Sequence, residues 1–277
     1  MKTTTEKGKA FRELHRREGA FVIPNPWDVG SARMLAALGF EALATTSTGL
    51  AWASGRSDGE MGLDNTLAHC RALAMATDLP VSADFEHCFA DAPKEAAANL
   101  VRAAETGLVG ASIEDFTGDA AHPIYDFNLA VERVQAAAEA VHALDFPFTL
   151  TARAENLLHG INDLDDSLRR LQAFEAAGAD VLYAPGLRTL EQVRTVTAVL
   201  DKPVNVLAPM VGGATVGDLA AAGARRLSVG GALCRAAFGA MLRAAHELHD
   251  QGGFSWLGEM AVGDEMSRLV HAATPSP

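Results

Sequence analysis

Carboxylates recur at the ends of short apolar runs along this chain: Asp84 and Glu86 after Pro80-Val81-Ser82-Ala83, Glu114 and Asp115 after Ala111-Ser112-Ile113, and Glu155 just beyond Arg153. Asp58 adds another acid in the loop that follows Thr48 and Gly49. If the fold gathers these groups, their repulsion must be offset by a cation or by shared protons. All are hard oxygen donors with no paired His or Cys among them. Such a set favours Mg²⁺ or Mn²⁺, each keeping several waters, over Zn²⁺. Taken singly, any of them serves equally well as a solvated loop residue or a helix cap. Arg153 supplies a guanidinium that can fork onto a carboxylate or a phosphonate, and pairing with Glu155 or Glu114 is its structural alternative. Ser47, Thr48 and Gly49 bring hydroxyls and a permissive backbone whose N–H groups can approach an anion, although Ser/Thr/Gly clusters are also common turns.

The elements that must position these groups repeat. Eight short, uniformly apolar runs lie at 20–24, 42–47, 80–84, 110–114, 148–153, 181–184, 204–208 and 226–230. They read as parallel strands covered on both faces. Amphipathic stretches separate them. Pro93 to Thr106 opens on a first-turn Pro, and Asp163 to Ala177 carries Leu164, Leu168, Leu171 and Phe174 on one face. Helices repeatedly stop at Gly before the next run, as at Gly39, Gly107, Gly178 and Gly223. Eight such units without a linker predict one closed (β/α)₈ barrel spanning 1–277, with an open doubly wound sheet as the alternative. A barrel of this kind places its chemistry at the C-terminal strand ends. Trp27 then follows the first strand, Tyr183 ends the sixth and Asn205 lies in the seventh. From about Leu233 the chain outruns the eighth unit. One helix is expected over Cys234 to Asp250 and another over Trp256 to Ala272, with apolar faces to be buried on the barrel or on a partner subunit.

Composition removes several classes. A formal charge of −12 argues against nucleic acid or an anionic membrane as partner, but not against a small anion held by a local cation. The five lysines (Lys2, Lys7, Lys9, Lys94 and Lys202) end no expected strand, which disfavours a Schiff-base mechanism and prefers metal-assisted enolate chemistry. Cys70, Cys88 and Cys234 form no zinc or redox motif and read as reduced thiols of a cytoplasmic protein. The first residues lack a signal-peptide run, and no apolar run is long enough to span a bilayer. Gly212-Gly213 and Gly230-Gly231 follow the seventh and eighth strands, where many barrels bind phosphate. They keep open a phosphate-binding barrel enzyme as a different reading.

Asn25-Pro26-Trp27-Asp28, Thr45-Thr46-Ser47-Thr48-Gly49-Leu50, Asp58-Gly59-Glu60, Ser82-Ala83-Asp84-Phe85-Glu86, Ala111-Ser112-Ile113-Glu114-Asp115 and Thr151-Ala152-Arg153-Ala154-Glu155 occur in that order. The ordered set, from about Asn25 to Ala237, resembles the isocitrate lyase/phosphoenolpyruvate mutase superfamily. The resemblance implies a barrel with a helix swapped between subunits of a homodimer or homotetramer. It also implies Mg²⁺ and chemistry beside a 2-oxo-carboxylate through an enolate-like intermediate. By the same resemblance Thr48, Gly49 and Leu50 match the stretch that holds the substrate carboxylate, with Ser47 and Trp27 beside it. Asp58, Asp84 and Glu114 match the acids around the metal, Glu86 fits a D-x-E variant of the family's D-x-D-x-G segment, and Arg153 matches the substrate-binding arginine. The chain departs from the family in the loop from Phe116 to Asp126, which has neither the cysteine of the lyases nor the lysine of the mutases. His122, Tyr125, Glu155 and Tyr183 are the remaining acid/base candidates. The expectation is therefore a lyase, decarboxylase or phosphonomutase-like enzyme. A metal and oxo-acid binder without turnover is the alternative.

Overall fold

The structure is a computed structural model that describes residues 1–272. Each of the eight apolar runs forms a strand: β1 (Phe21–Ile23), β2 (Leu43–Ala44), β3 (Val81–Ala83), β4 (Gly110–Glu114), β5 (Thr149–Arg153), β6 (Val181–Tyr183), β7 (Val204–Leu207) and β8 (Arg226–Ser228). They form one parallel sheet in the order β1-β8-β7-β6-β5-β4-β3-β2. Helices α1 (Thr4–Arg16), α2 (Val29–Ala37), α3 (Ser47–Ala53), α4 (Leu63–Ala76), α5 (Pro93–Ala104), α6 (Phe127–His142), α7 (Leu164–Ala176), α8 (Leu190–Thr197), α9 (Val216–Ala221), α10 (Ala232–Gln251) and α11 (Gly263–Ala272) complete the order. This is the expected (β/α)₈ barrel. Its strands are buried along their length because helices cover the outside and side chains fill the inside.

The seam between β1 and β2 carries no strand ladder, and side-chain and single backbone bonds close it instead. The Ala44 N–H donates to the Pro24 carbonyl at 3.1 Å. Buried Asn25 then reaches both neighbours: its Nδ2 donates to the Thr45 carbonyl at 2.8 Å, and its Oδ1 accepts from the N–H groups of Val229 and Gly230, each at 2.9 Å. One amide thus ties β1 to the ends of β2 and β8 at the rim where the site lies.

Three segments differ from expectation. The second run yields only a short strand, because Thr46 caps α3 and sends Ser47 to Ala53 into helix. The N-terminal helix α1 was not anticipated. Thr3 and Glu6 form a reciprocal capping box, and Phe11 inserts among Phe21, Ile23 and Val109 at the N-terminal end of the barrel. Gly8 allows the close approach, since a Cβ there would lie 2.2 Å from the Pro147 carbonyl oxygen. The single helix expected over Trp256 to Ala272 is split into a 3₁₀ turn at Ser255–Glu259 and α11, with Gly263 opening the second piece. Helix α10 buries only Cys234 and leaves Met241, Leu242 and Leu248 exposed, whereas α11 packs against α2. Among the described residues, no helix is long and apolar enough to cross a membrane.

Candidate active site

Arg153 ends β5 and sits among three carboxylates supplied by neighbouring strand ends. Its Nη1 donates to Asp84 Oδ1 at 2.6 Å and its Nε to Glu155 Oε1 at 2.7 Å, and its Nη2 lies 3.2 Å from Glu114 Oε2. The guanidinium also lies 5.2 Å from the centre of the Tyr183 ring. The register explains the meeting, because Glu114 pairs with Arg153 across β4–β5 and Arg153 with Tyr183 across β5–β6. Asp84, one residue past β3, is positioned from two sides. Its N–H donates to the Thr45 hydroxyl at 2.9 Å, and its Oδ2 accepts from the Ser47 N–H at 3.1 Å.

The segment after β3 is held in an uncommon backbone conformation. Glu86, Cys88 and Phe89 have φ of 50°, 60° and 56°, the left-handed region that favours glycine. Such strain clusters where surrounding structure fixes a functional group. The Glu86 carbonyl accepts from the Glu114 N–H at 3.2 Å, which ties the two acidic segments together.

Negative charge exceeds what Arg153 can balance. Burial, reinforced by Glu155, Asp84 and Glu86, raises the Glu114 carboxyl well above its ordinary range, with Arg153 opposing. Burial and then the charges of Asp84 and Asp58 push Glu86 up to about 7. Burial pulls the Arg153 guanidinium down, but Glu114, Glu155 and Asp84 outweigh it and hold the proton firmly. All the acids offer hard oxygens. Among the described residues, no three of them converge into a ready-made metal cage. A hard cation that retains several waters does not need one.

Asp58, Asp84 and Arg153 border a cavity of about 190 Å³ at the C-terminal end of the barrel, lined also by Ser47, Thr48 and Asn205 together with Tyr183, Thr151, Ser228 and Arg226. A larger hollow of about 650 Å³ lies at the opposite end, between α1 and the segments leading into β5 to β7. It contains none of the carboxylate cluster, so the smaller cavity is the candidate site.

The structure separates the expected residues into three groups. Ser47, Thr48, Asp58, Asp84, Arg153 and Asn205 line the cavity, with Thr48 Oγ1 donating to Asp58 Oδ2. Glu86, Glu114 and Glu155 stand behind this lining, around Arg153 and Asp84. Trp27, Gly49 and Leu50 lie outside the lining. Gly49 is a packing glycine, since a Cβ there would meet the Trp27 Cβ at 2.8 Å. Tyr125 turns away, donating its hydroxyl to Asp91 beneath the Arg133 guanidinium. His122 sits at an exposed loop tip beside Asp119. Asp115 also faces away from the cavity, accepting from the Glu155 N–H at 2.8 Å and from Arg170 at 3.2 Å. Two residues escaped notice in the sequence. Arg226 lies inside the barrel, and His159 stacks on Phe116 with ring centres 3.9 Å apart and its Nε2 3.7 Å from Glu155 Oε2. An arginine within a buried strand was the available signal for Arg226. His159 had none, because it sits in a loop.

The sequence pattern of the family described as phosphoenolpyruvate phosphomutase matches residues 11–249. The chain belongs to this family, within the isocitrate lyase/phosphoenolpyruvate mutase superfamily. A crystal structure of a Burkholderia cenocepacia J2315 protein, described provisionally as a lyase/mutase, shares 52% identity with this member over 96% of this chain and 95% of the other, with a TM-score of 0.93. An uncharacterised protein of Mycobacterium tuberculosis H37Rv is 30% identical over 87% of this chain and 89% of its own length. The oxaloacetate decarboxylase of Rhodopseudomonas palustris HaA2 is 28% identical over 73% and 70%. A phosphonopyruvate hydrolase solved with oxalate and Mg²⁺ shares the fold, with a TM-score of 0.84, 21% identity and coverage of 96% and 95%. Like its superfamily neighbours, the protein is an enzyme of lyase or mutase type.

Replacing Arg153 with Met leaves Asp84, Glu114 and Glu155 without their shared cation. Urea unfolding should show a loss of about 3–5 kcal/mol, the usual cost of orphaning buried charge. A loss below ~1 kcal/mol would mean that Arg153 does not hold the cluster together.

Proposed function

We propose that the protein is a Mg²⁺-dependent enzyme that acts on a small 2-oxo-carboxylate through an enolate-like state, with C–C cleavage or decarboxylation as its reaction. The observation that carries this is the excess of buried carboxylates, all hard oxygen donors, around the cavity. Asp84, with Asp58, Glu86 and Glu114 acting in part through water, fits Mg²⁺, and Mn²⁺ satisfies the same donors. When bound, the metal supplies a Lewis acid that polarises the oxo group.

The chain's own residues do the rest. Ser47 and Thr48 offer donors at the rim, and Arg153 has N–H groups beyond the three already engaged. Glu155 orients Arg153 rather than facing the cavity. Tyr183 lines the cavity, and burial raises its phenol to about 12, so Oη keeps its proton at neutral pH and can return one to a carbanion. The loop from Phe116 to Asp126 has no lysine to accompany a leaving phosphonate and no cysteine, and it carries His122 and Tyr125 outside the cavity lining. That ranks decarboxylation of an oxaloacetate-like acid first and C–P cleavage second, and it leaves isocitrate without the lyase cysteine. The likeness to an oxaloacetate decarboxylase supports the same order. The same loop favours one second reading, a metal and oxo-acid binder that has lost turnover. A phosphate-binding barrel is less supported, because the Gly230 N–H is already held by Asn25.

The exposed apolar face of α10 supports a homodimer or homotetramer in which this helix packs on a second copy.

Calorimetry should show oxalate binding that requires Mg²⁺ and is lost in Asp84→Ala. In parallel assays, turnover should be greatest on oxaloacetate, weaker on phosphonopyruvate and absent on isocitrate. Unchanged oxalate binding in Asp84→Ala would remove the metal assignment, binding without any turnover would favour the second reading, and glyoxylate release from isocitrate would contradict the role given to the loop.

Light scattering at micromolar concentration should give the mass of a dimer or tetramer. A monomer would contradict the use of α10 as an interface.

A further inference from the structure

Two arginines lie inside this barrel, and their surroundings are opposite. Arg153 has three carboxylates around it. Arg226, which opens β8, is 5% exposed and bonds only neutral groups. Its Nε donates to Asn205 Oδ1 at 2.9 Å and its Nη2 to Thr151 Oγ1 at 3.0 Å. Asn205 is locked in that orientation because its Nδ2 donates to Ser228 Oγ at 2.9 Å. The remaining nitrogen, Nη1, is buried and has no partner. Among the described residues no carboxylate pairs with Arg226, although the chain has 35 acidic residues and several stand at the rim above it. A buried guanidinium without a counter-anion is costly, and such groups are ordinarily paired. Arg226, Thr151, Asn205 and Ser228 all border the same cavity as Asp84 and Thr48, but Arg226 opens its strand whereas Asp84 follows the end of its own.

We infer that Arg226 forms an anion-binding subsite on the floor of the cavity, which takes a second anionic group of the substrate while its 2-oxo-carboxylate end is held at the rim. The inference rests on the proposed function and narrows it: the substrate is a short dianion, with a distal carboxylate pointing down the barrel toward the Arg226 guanidinium. Asn205 and Thr151 position the guanidinium, and the distal carboxylate supplies the charge that the protein withholds.

The test compares two stable 2-hydroxy acids that differ only in the distal group, malate and lactate, by calorimetry in the presence of Mg²⁺, with oxalate as reference. In the unmodified protein malate should bind at least about tenfold more tightly than lactate, the value of one charge-assisted pair. In Arg226→Met the ratio should fall to about one, and in Arg226→Lys part of it should survive because the charge remains. If malate and lactate bind equally to the unmodified protein, the distal group is not recognised and the subsite is wrong. This arm needs no variant, so a misfolded Arg226→Met does not blunt it. If the ratio persists in Arg226→Met, the distal group is recognised elsewhere. If oxalate fails to bind the unmodified protein, the proposed function falls and the subsite with it, whereas oxalate binding without malate preference overturns the subsite alone.

Discussion

Strands β3, β4 and β5 end around one guanidinium, and the site is organised by that meeting. Arg153 is reached by Asp84 from one strand, Glu114 from the next and Glu155 from its own. Each carboxylate alone would be driven out of such a buried place, or protonated in it. With the arginine between them they share its charge and fix its plane, yet the balance stays negative. Burial first, and that surplus second, raises the carboxyls of Glu114 and Glu86. The divalent cation proposed for the rim would relieve it.

The rest of the barrel keeps this charge in register. Its open seam lies between β1 and β2, next to the segment that positions Asp84. Asn25 spans that seam, and Thr45 connects it to the Asp84 backbone. On the other side of Asp84, three residues without glycine adopt left-handed backbone to aim Glu86. Strain of ~1–3 kcal/mol per residue is tolerable only where packing over-determines the loop, and buried Cys88 and Phe85 provide that packing.

Much of this was legible in the sequence. The eight runs were readable because strands buried on both faces need uninterrupted apolar residues, and the ends of those runs pointed to the acids. Side-chain direction was not readable to the same degree. Glu114 and Asp115 are neighbours on a chain whose faces alternate, so one joins Arg153 and the other turns outward to Arg170. Arg225 and Arg226 pose the same question, which only the β7–β8 register answers by setting Arg226 opposite Asn205. Loop residues carry no period at all, so nothing local indicated that Tyr125 would face Asp91 or that His122 would sit at an exposed tip. Helix α1 was readable from Thr3 and Glu6 as a capping box, but it lies outside the eightfold repeat that dominates the pattern.

In the proposed function the cavity stabilises an enolate with help from a divalent metal, and proton exchange at the carbon next to an oxo group reports such an enolate. Pyruvate incubated with the protein in D₂O can be followed by the loss of its methyl proton signal. The account predicts exchange well above the rate with Mg²⁺ alone, abolished by chelation and by Asp84→Ala. Exchange no faster than in a solution of Mg²⁺ without protein, under conditions where oxalate is bound, would contradict it.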